Sequence, residues 1–250
     1  GTNGKTSTAW WLAQALGKLN LKCGVVGTLG IGMPGAMAFN GLTTPDPVLL
    51  QQHLRRFVDD GFAACAIEAS SIGIAEKRLD AKHLQVAVFT NFTQDHLDYH
   101  SSMQDYWAAK ASLFTWPNLQ AAVINIDDAK GCELSSSLEN SSIDIWTVAI
   151  DQPARLQAES IRQHADVLSF AVVEGNERQP VTTSAIGRYN ISNLLGVIGV
   201  LRALGVMLED AAKACSQLSA VPGRLDTLNQ TGKPLVVVDY AHTPDAIEKV

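Results

Sequence analysis

The chain has 250 residues, 46% of them hydrophobic, with 19 Lys plus Arg against 25 Asp plus Glu and a formal net charge of −6. A chain of this length buries a core without staples, and its acidic balance with no basic cluster excludes a nucleic-acid surface. No apolar stretch reaches the ~18 residues of a membrane span, no signal peptide is visible, and Cys23, Cys65, Cys132 and Cys215 show no metal-ligand spacing, so the expected setting is the reducing cytoplasm.

Residues 1–8, Gly-Thr-Asn-Gly-Lys-Thr-Ser-Thr, read as a phosphate-binding loop. Gly1 and Gly4 allow backbone N–H groups to turn toward phosphate oxygens. Lys5 brings a positive charge to the outer phosphates, and the Thr6 hydroxyl suits Mg²⁺. Thr2, Asn3 and Ser7 complete a loop for a nucleoside triphosphate, against the plainer reading of a glycine-rich turn capping a surface helix. Trp10, Trp11, Leu12, Leu16 and Leu19 mark the packed face of the helix that follows. Such a loop needs a buried strand before it, so the chain is expected to be a piece of a longer protein that lacks this first strand.

Strands are predicted at Cys23–Leu29, Phe62–Ile67, Gln85–Asn91 and Ala121–Ile126, with weaker ones near 145–150 and 167–173. Alternation with helical patterns predicts an α/β fold, a P-loop ATPase-type, mostly parallel sheet flanked by helices. Residues 151–186 are more polar and suit antiparallel structure at the edge. Cys65 reads as a buried core thiol. Residues 190–204 form an apolar, buried helix, and the pattern breaks at Pro222-Gly223. Residues 229–234 read as a linker, and 234–240 as a new buried strand. The expected division is a domain over 1–226 and, over 227–250, a linker with the start of a second, Rossmann-like domain.

Three apolar strands end on ionisable residues: Glu68, Asp95-His96 after Asn91, and Asp239 with His242 close behind. Ligands bind beyond the carboxyl ends of strands in open α/β sheets. Glu68 with Thr6 suits Mg²⁺, which takes few protein ligands besides phosphate and water; His96 is either a further ligand or a structural histidine. Ser101-Ser102 before Gln104 and Asp105 marks a helix start. Lys110 then falls on the apolar face of Met103, Tyr106, Trp107, Leu113 and Phe114. It either snorkels to solvent or is buried with a lowered pKa, a neutral amine able to take up CO₂ as a carbamate.

Asn190 is a candidate N-cap of the buried helix, and Asn193, one turn on, would seek a partner such as an adenine edge. Arg224 after Pro222-Gly223 suits a phosphate at a domain junction. Thr43-Thr44-Pro45-Asp46 is a hydroxyl-rich turn, while Asp98 and His100 read as solvated.

Seven strings occur in order: Gly-Thr-Asn-Gly-Lys-Thr, Thr-Thr-Pro-Asp46, Glu68-Ala-Ser-Ser, Asp95-His-Leu-Asp-Tyr-His, Ala-Ala-Lys110, Pro-Gly-Arg224 and Asp239-Tyr-Ala-His-Thr-Pro-Asp. Together they resemble the Mur ligases of peptidoglycan synthesis, and the fourth and seventh specifically resemble the branch that adds a diamino acid. The resemblance implies ATP- and Mg²⁺-dependent amide formation through an acyl phosphate. The substrates would be UDP-MurNAc-L-Ala-D-Glu and a diamino acid, meso-diaminopimelate ahead of L-lysine. It implies that the isolated 250-residue piece is inactive; a cytoplasmic protein without membrane insertion is expected from the composition, and a monomer is the expected state. By position, Glu68 and His96 resemble Mg²⁺ ligands, and Lys110 the lysine whose carbamate supports a second Mg²⁺. Asn190 and Asn193 resemble adenine-side residues, Asp239 a ribose contact, and Lys5 and Arg224 the charges on the transferring phosphoryl group. Thr43, Thr44, Ser70, Glu76 and Arg78 stand where the muramoyl-peptide is held.

Two positions depart from the family pattern: Ser71-Ile72-Gly73 where relatives often read Ser-His-Gly, and Glu76 where a relative can carry glutamine. Another Mur-type or folylpolyglutamate-type amide ligase, and a non-catalytic ATP-binding module, are the alternative readings.

Overall fold

A computed structural model describes residues 1–79, 84–164, 167–228, 232, 234 and 236–249. The loop at 1–4 runs into α1 (Lys5–Lys18), after which β1 (Cys23–Gly27), β2 (Gly30–Met33) and β3 (Ala36–Ala38) form a meander. Helix α2 (Pro47–Asp59) begins at Asp46, whose carboxylate accepts the N–H groups of Val48 and Leu49, both at 3.0 Å, with Pro47 at the first helical position. Then come β4 (Ala64–Ile67), α3 (Ser71–Ala75), β5 (Val86–Phe89), α4 (Met103–Ala111), β6 (Ala121–Asn125), α5 (Ala129–Leu138) and β7 (Asp144–Ala149). A meander of β8 (Leu156–His164), β9 (Val167–Glu174) and β10 (Glu177–Thr183) leads to α6 (Arg188–Ala203) and α7 (Leu208–Cys215), followed by β11 (Asp226–Leu228), β12 (Val236–Val238) and α8 (Pro244–Lys249).

Two sheets carry the fold, ordered β3-β2-β1-β4 and β10-β9-β8-β7-β6-β5. Their centres are parallel, β1 with β4 and β5 through β8, and each is flanked by antiparallel strands, including the 151–186 region read as edge structure. β1 and β6 are buried along their whole length, as expected of parallel strands covered on both faces. Helices α1, α6 and α7 pack one apolar layer with Trp11, Leu16, Val123, Val148, Leu194 and Ile198. The opposite layer gathers Val26, Leu50, Phe57, Phe89, Phe114 and Leu134. Helix α1 packs against β1, β4 and α6, so the loop at its N-terminus lies beyond the carboxyl ends of the strands.

The structure corrects two expectations, the burial of 234–240 and of Cys65, and adds one hairpin. The β2–β3 hairpin was not predicted, because Gly-Ile-Gly-Met and Ala-Met-Ala lack β-branched runs. The strand expected to be buried at 234–240 is β12, with all three residues exposed; among the described residues it pairs with β11 alone, outside both larger sheets. The linker reading at 229–234 falls largely outside the described residues. Cys65 is half-buried at the edge of the second layer, since β4 is an edge strand.

Candidate active site

A cleft of about 800 Å³ opens where the loop, the ends of β4, β5 and β6, the start of α6 and residues 239–242 converge. Of the predicted site residues only Gly1, Lys110 and Glu76 lie off its wall.

The loop is anchored to the segment after β5. Thr2 N–H donates to the Asn91 carbonyl at 2.9 Å, and Asn3 N–H to Asn91 Oδ1 at 2.8 Å. The Asn3 carbonyl in turn accepts Thr90 Oγ1 at 2.6 Å and Asn91 Nδ2 at 3.1 Å. Gly4 has φ +82°, and a Cβ there would stand 2.2 Å from Asn193 Oδ1, so both conformation and space require glycine. Lys5 folds over its own loop, Nζ donating to the carbonyls of Gly1 at 3.0 Å and Thr2 at 2.6 Å. Burial lowers its pKa, with the charges of Glu68 and Asp95 opposing. The amide-rich start of α1 and this lysine make an anion site.

Thr6 is the pivot of the site. Its hydroxyl donates to Glu68 Oε2 at 2.9 Å and accepts Arg224 Nη2 at 3.2 Å. Glu68 is only 3% exposed, and its Oε1 accepts Thr28 N–H at 2.9 Å. A Cβ on Gly27 would lie 2.0 Å from that oxygen, so β1 must end in glycine for the carboxylate to fit. Among the described residues no three His, Cys, Asp or Glu side chains converge as a metal cage. The hydroxyl–carboxylate pair beside an anion site nonetheless fits Mg²⁺, which completes its shell from phosphate and water. His96 is half-buried with φ +51°, its Nε2 3.5 Å from Asp95 Oδ2. Burial lowers its pKa, so the ring is a neutral donor of the kind metals take.

Lys110 does not snorkel: it is 4% exposed, behind the loop. Its Nζ donates to the Gly1 carbonyl at 3.1 Å and lies 4.3 Å from the Tyr106 ring centre. Burial, then the charge of Lys5, brings its pKa down to about 6, a neutral amine at pH 7. Tyr106 is fully buried, its hydroxyl 3.2 Å from Thr2 Oγ1, with its pKa pushed up to about 12 by burial. Helix α4 is capped as expected, Ser102 Oγ accepting Asp105 N–H at 3.1 Å.

At the start of α6, Asn190 is not the N-cap: the helix begins at Arg188 after Gly187, and Asn190 Nδ2 donates back to the Ile186 carbonyl at 2.6 Å. Asn193 finds its partner within the chain, Nδ2 donating to Asn190 Oδ1 at 3.1 Å. Asp239 lines the cleft and accepts Leu225 N–H at 2.8 Å and Ala241 N–H at 2.6 Å.

At the far end, Thr43 Oγ1 lies 3.0 Å from Thr28 Oγ1. Thr44 Oγ1 donates to the Glu68 carbonyl at 2.7 Å and accepts Ser70 N–H at 3.1 Å. Ser70 caps α3 through Gly73 N–H at 2.9 Å. Arg78 reaches the cleft, whereas Glu76 stands behind it and pairs with its guanidinium; the carboxylate expected at the substrate is occupied by arginine. His100, read as solvated, is buried with Nε2 3.0 Å from Ser71 Oγ and its ring against Tyr106, contacts between distant segments that no local pattern carries. Asp98 is exposed as expected.

Sequence reasoning missed Thr28, Asn91, Asn125, Asp127 and Tyr189 on the cleft wall. For Asn91, its place after an apolar strand and before Asp95-His96 is the available signal. Asp127 holds the chain after β7, accepting Ile150 N–H at 2.6 Å and Asp151 N–H at 3.0 Å. The Tyr189 hydroxyl is buried, with no hydrogen-bond partner among the described residues.

Comparison with known proteins points one way. The family described as Mur ligase middle domain matches residues 1–201. The chain is 54% identical over 256 residues to the UDP-N-acetylmuramoyl-L-alanyl-D-glutamate--2,6-diaminopimelate ligase of Acidovorax sp. (strain JS42), covering 100% of this chain and 51% of that protein. A solved structure of a ligase of that name superposes with TM-score 0.87 at 32% identity, over 99% of this chain and 50% of the other. The apo form of L. casei FPGS matches at TM-score 0.72 and 18% identity, over 100% of this chain and 68% of that one, a likeness of fold alone. The chain thus spans about half the length of the diaminopimelate ligases it matches.

Proposed function

This chain belongs to the Mur ligase family, and from that premise we propose that it is the ATP-handling part of a ligase that joins a diamino acid to UDP-MurNAc-L-Ala-D-Glu. Residues 1–226 are the central ATP-binding domain in this reading, and 227–250 begin the domain that receives the amine. The observation that carries it is Thr6, held between Glu68 and Arg224 at the mouth of the phosphate loop. Residues from three distant segments meet where a triphosphate would end. Relatives named for diaminopimelate support that acceptor ahead of L-lysine.

The chemistry is phosphoryl transfer followed by acyl transfer. A carboxylate oxygen of the dipeptide attacks the γ-phosphorus in line as the bond to ADP breaks, leaving an acyl phosphate. The amine then attacks the acyl carbon through a tetrahedral intermediate, phosphate departs, and the nitrogen gives up a proton. Lys5, the α1 N-terminus and Arg224 stabilise the charge spread over the transferring group. Thr6 and Glu68, with His96, would hold Mg²⁺, which when bound neutralises phosphate charge. Asn190, Asn193 and Asp239 form the nucleoside end, and Thr43, Thr44, Ser70 and Arg78 the acyl end. Lys110, free base at pH 7, has the lone pair that adds to CO₂, losing a proton as the carbamate forms; its rotamer must leave the Gly1 carbonyl to serve the cleft. The protein acts in the cytoplasm as a monomer in this reading.

The test is phosphate release by the full-length protein with ATP, Mg²⁺ and UDP-MurNAc-L-Ala-D-Glu, offering diaminopimelate and lysine separately. Release with diaminopimelate alone is expected. No release with either amine, in a protein that binds ATP, would overturn the assignment in favour of another amide ligase or a binding module.

A further inference from the structure

An arginine carries five N–H donors, and three of those on Arg78 are committed within the chain. Nε donates to Glu76 Oε2 at 2.8 Å, Nη2 donates to the same oxygen, and Nη1 donates to the Thr44 carbonyl at 2.9 Å. One donor on each terminal nitrogen is left over among the described residues, on a side chain that lines the cleft. Glu76 does not line the cleft, and its second oxygen accepts the Tyr99 hydroxyl at 3.3 Å. The order Tyr99, Glu76, Arg78 therefore runs from outside toward the cleft, and the last member also grips the backbone of Thr44, whose hydroxyl bonds to the Glu68 carbonyl.

We propose that Glu76 and Tyr99 are positioning residues for Arg78: they hold its guanidinium so that the two remaining donors receive a carboxylate of the acyl substrate, and Glu76 itself does not touch that substrate. This rests on the functional reading above. A free carboxylate facing an anionic substrate would repel it, whereas Glu76 on the far side of Arg78 cancels part of the guanidinium charge and fixes its plane. Recognition then depends on the direction of two N–H groups, which a planar fork supplies and a lysine does not. The Glu76–Arg78 pair is partly exposed, with side-chain exposures of 40% and 21%, so it adds little to stability and its role is legible in binding.

The experiment is a double-mutant cycle in the full-length protein, reading KM for UDP-MurNAc-L-Ala-D-Glu beside KM for ATP. Glu76→Ala is expected to raise the first about tenfold, as loss of a charge-assisted bond would, and to leave the second unchanged. Glu76→Gln, whose amide oxygen still accepts from Arg78, restores most of that loss. In the Arg78→Ala background, Glu76→Ala adds nothing further. Additive losses in the cycle would mean that Glu76 meets the substrate itself and would overturn the proposal, as would a wild-type KM in Glu76→Ala. A protein with no activity on this nucleotide would refute the functional reading instead. The Arg78 Nε–H proton would then report the positioning: slow exchange in wild type that is lost in Glu76→Ala supports it, and fast exchange in both overturns it.

Discussion

The two ends of the cleft are built differently. At the end proposed for the nucleotide, Thr2, Thr6, Glu68, Asn190 and Asn193 are buried and bonded to one another or to backbone. At the end proposed for the acyl substrate, Thr44 aside, the groups are half-buried or exposed, and Arg78 is steadied by a pair of side chains in contact with water. The first arrangement couples binding to folding, because its polar groups cannot be removed without leaving a buried partner unpaired. The second can change affinity while leaving the fold alone.

The sharpest way to break this contrast is Gly4→Ala. It places a side chain at φ +82° against Asn193 and should cost about 2–3 kcal/mol of stability together with ATP binding, read by urea unfolding and calorimetry. Wild-type values in both would mean that the loop is softer than its bonding implies. Next in size is Glu68→Gln, which keeps the acceptor for Thr28 N–H but removes the charge. Turnover should fall on the order of a hundredfold and the Mg²⁺ requirement should rise, with a lowered melting temperature because an amide NH₂ in place of Oε2 cannot accept the Thr6 hydroxyl; an unaltered Mg²⁺ titration would remove Glu68 from the metal.

Lys110→Met tests the buried amine through pH. The folded-state pKa near 6 lies below that of an unfolded lysine, near ~10.4. Between those values the unfolded state binds more protons, so stability rises with pH across that window and levels off below it. In CO₂-free buffer the wild type should gain up to about 1.4 kcal/mol per pH unit relative to Lys110→Met. Parallel stability curves for the two proteins would show an amine that keeps its ordinary pKa. The smallest effect is expected at the acyl end: Thr43→Val loses one hydroxyl contact with Thr28 and should raise the KM for the muramoyl-peptide about twofold to threefold without moving the unfolding midpoint.

What could be read from the sequence follows the same division. The phosphate loop and the strand-end carboxylate were legible because their chemistry is written in contiguous strings, and the buried strands because parallel pairing demands unbroken apolar runs. Spacing put Lys110 on the right face of its helix, but depth depends on what packs behind it, so snorkelling and burial stayed open. Asn190 mimicked a cap because asparagine favours caps; the positive φ of Gly187 starts the helix earlier. His100 was misplaced because its partner Ser71 is brought to it by the fold from a distant segment; the partner of Glu76 is Arg78, two residues on, and what the sequence does not carry is which of the two side chains faces the cleft.

Gly27 carries no functional group, yet the carboxylate of Glu68 occupies the place of its missing Cβ. Every amino-acid-changing single-base step from a glycine codon adds at least that one carbon. In evolutionary terms the position therefore has no neutral neighbours. A variant arising there, under an inhibitor or by drift, would push the Glu68 carboxylate aside, so the tip of β1 is a poor route to resistance.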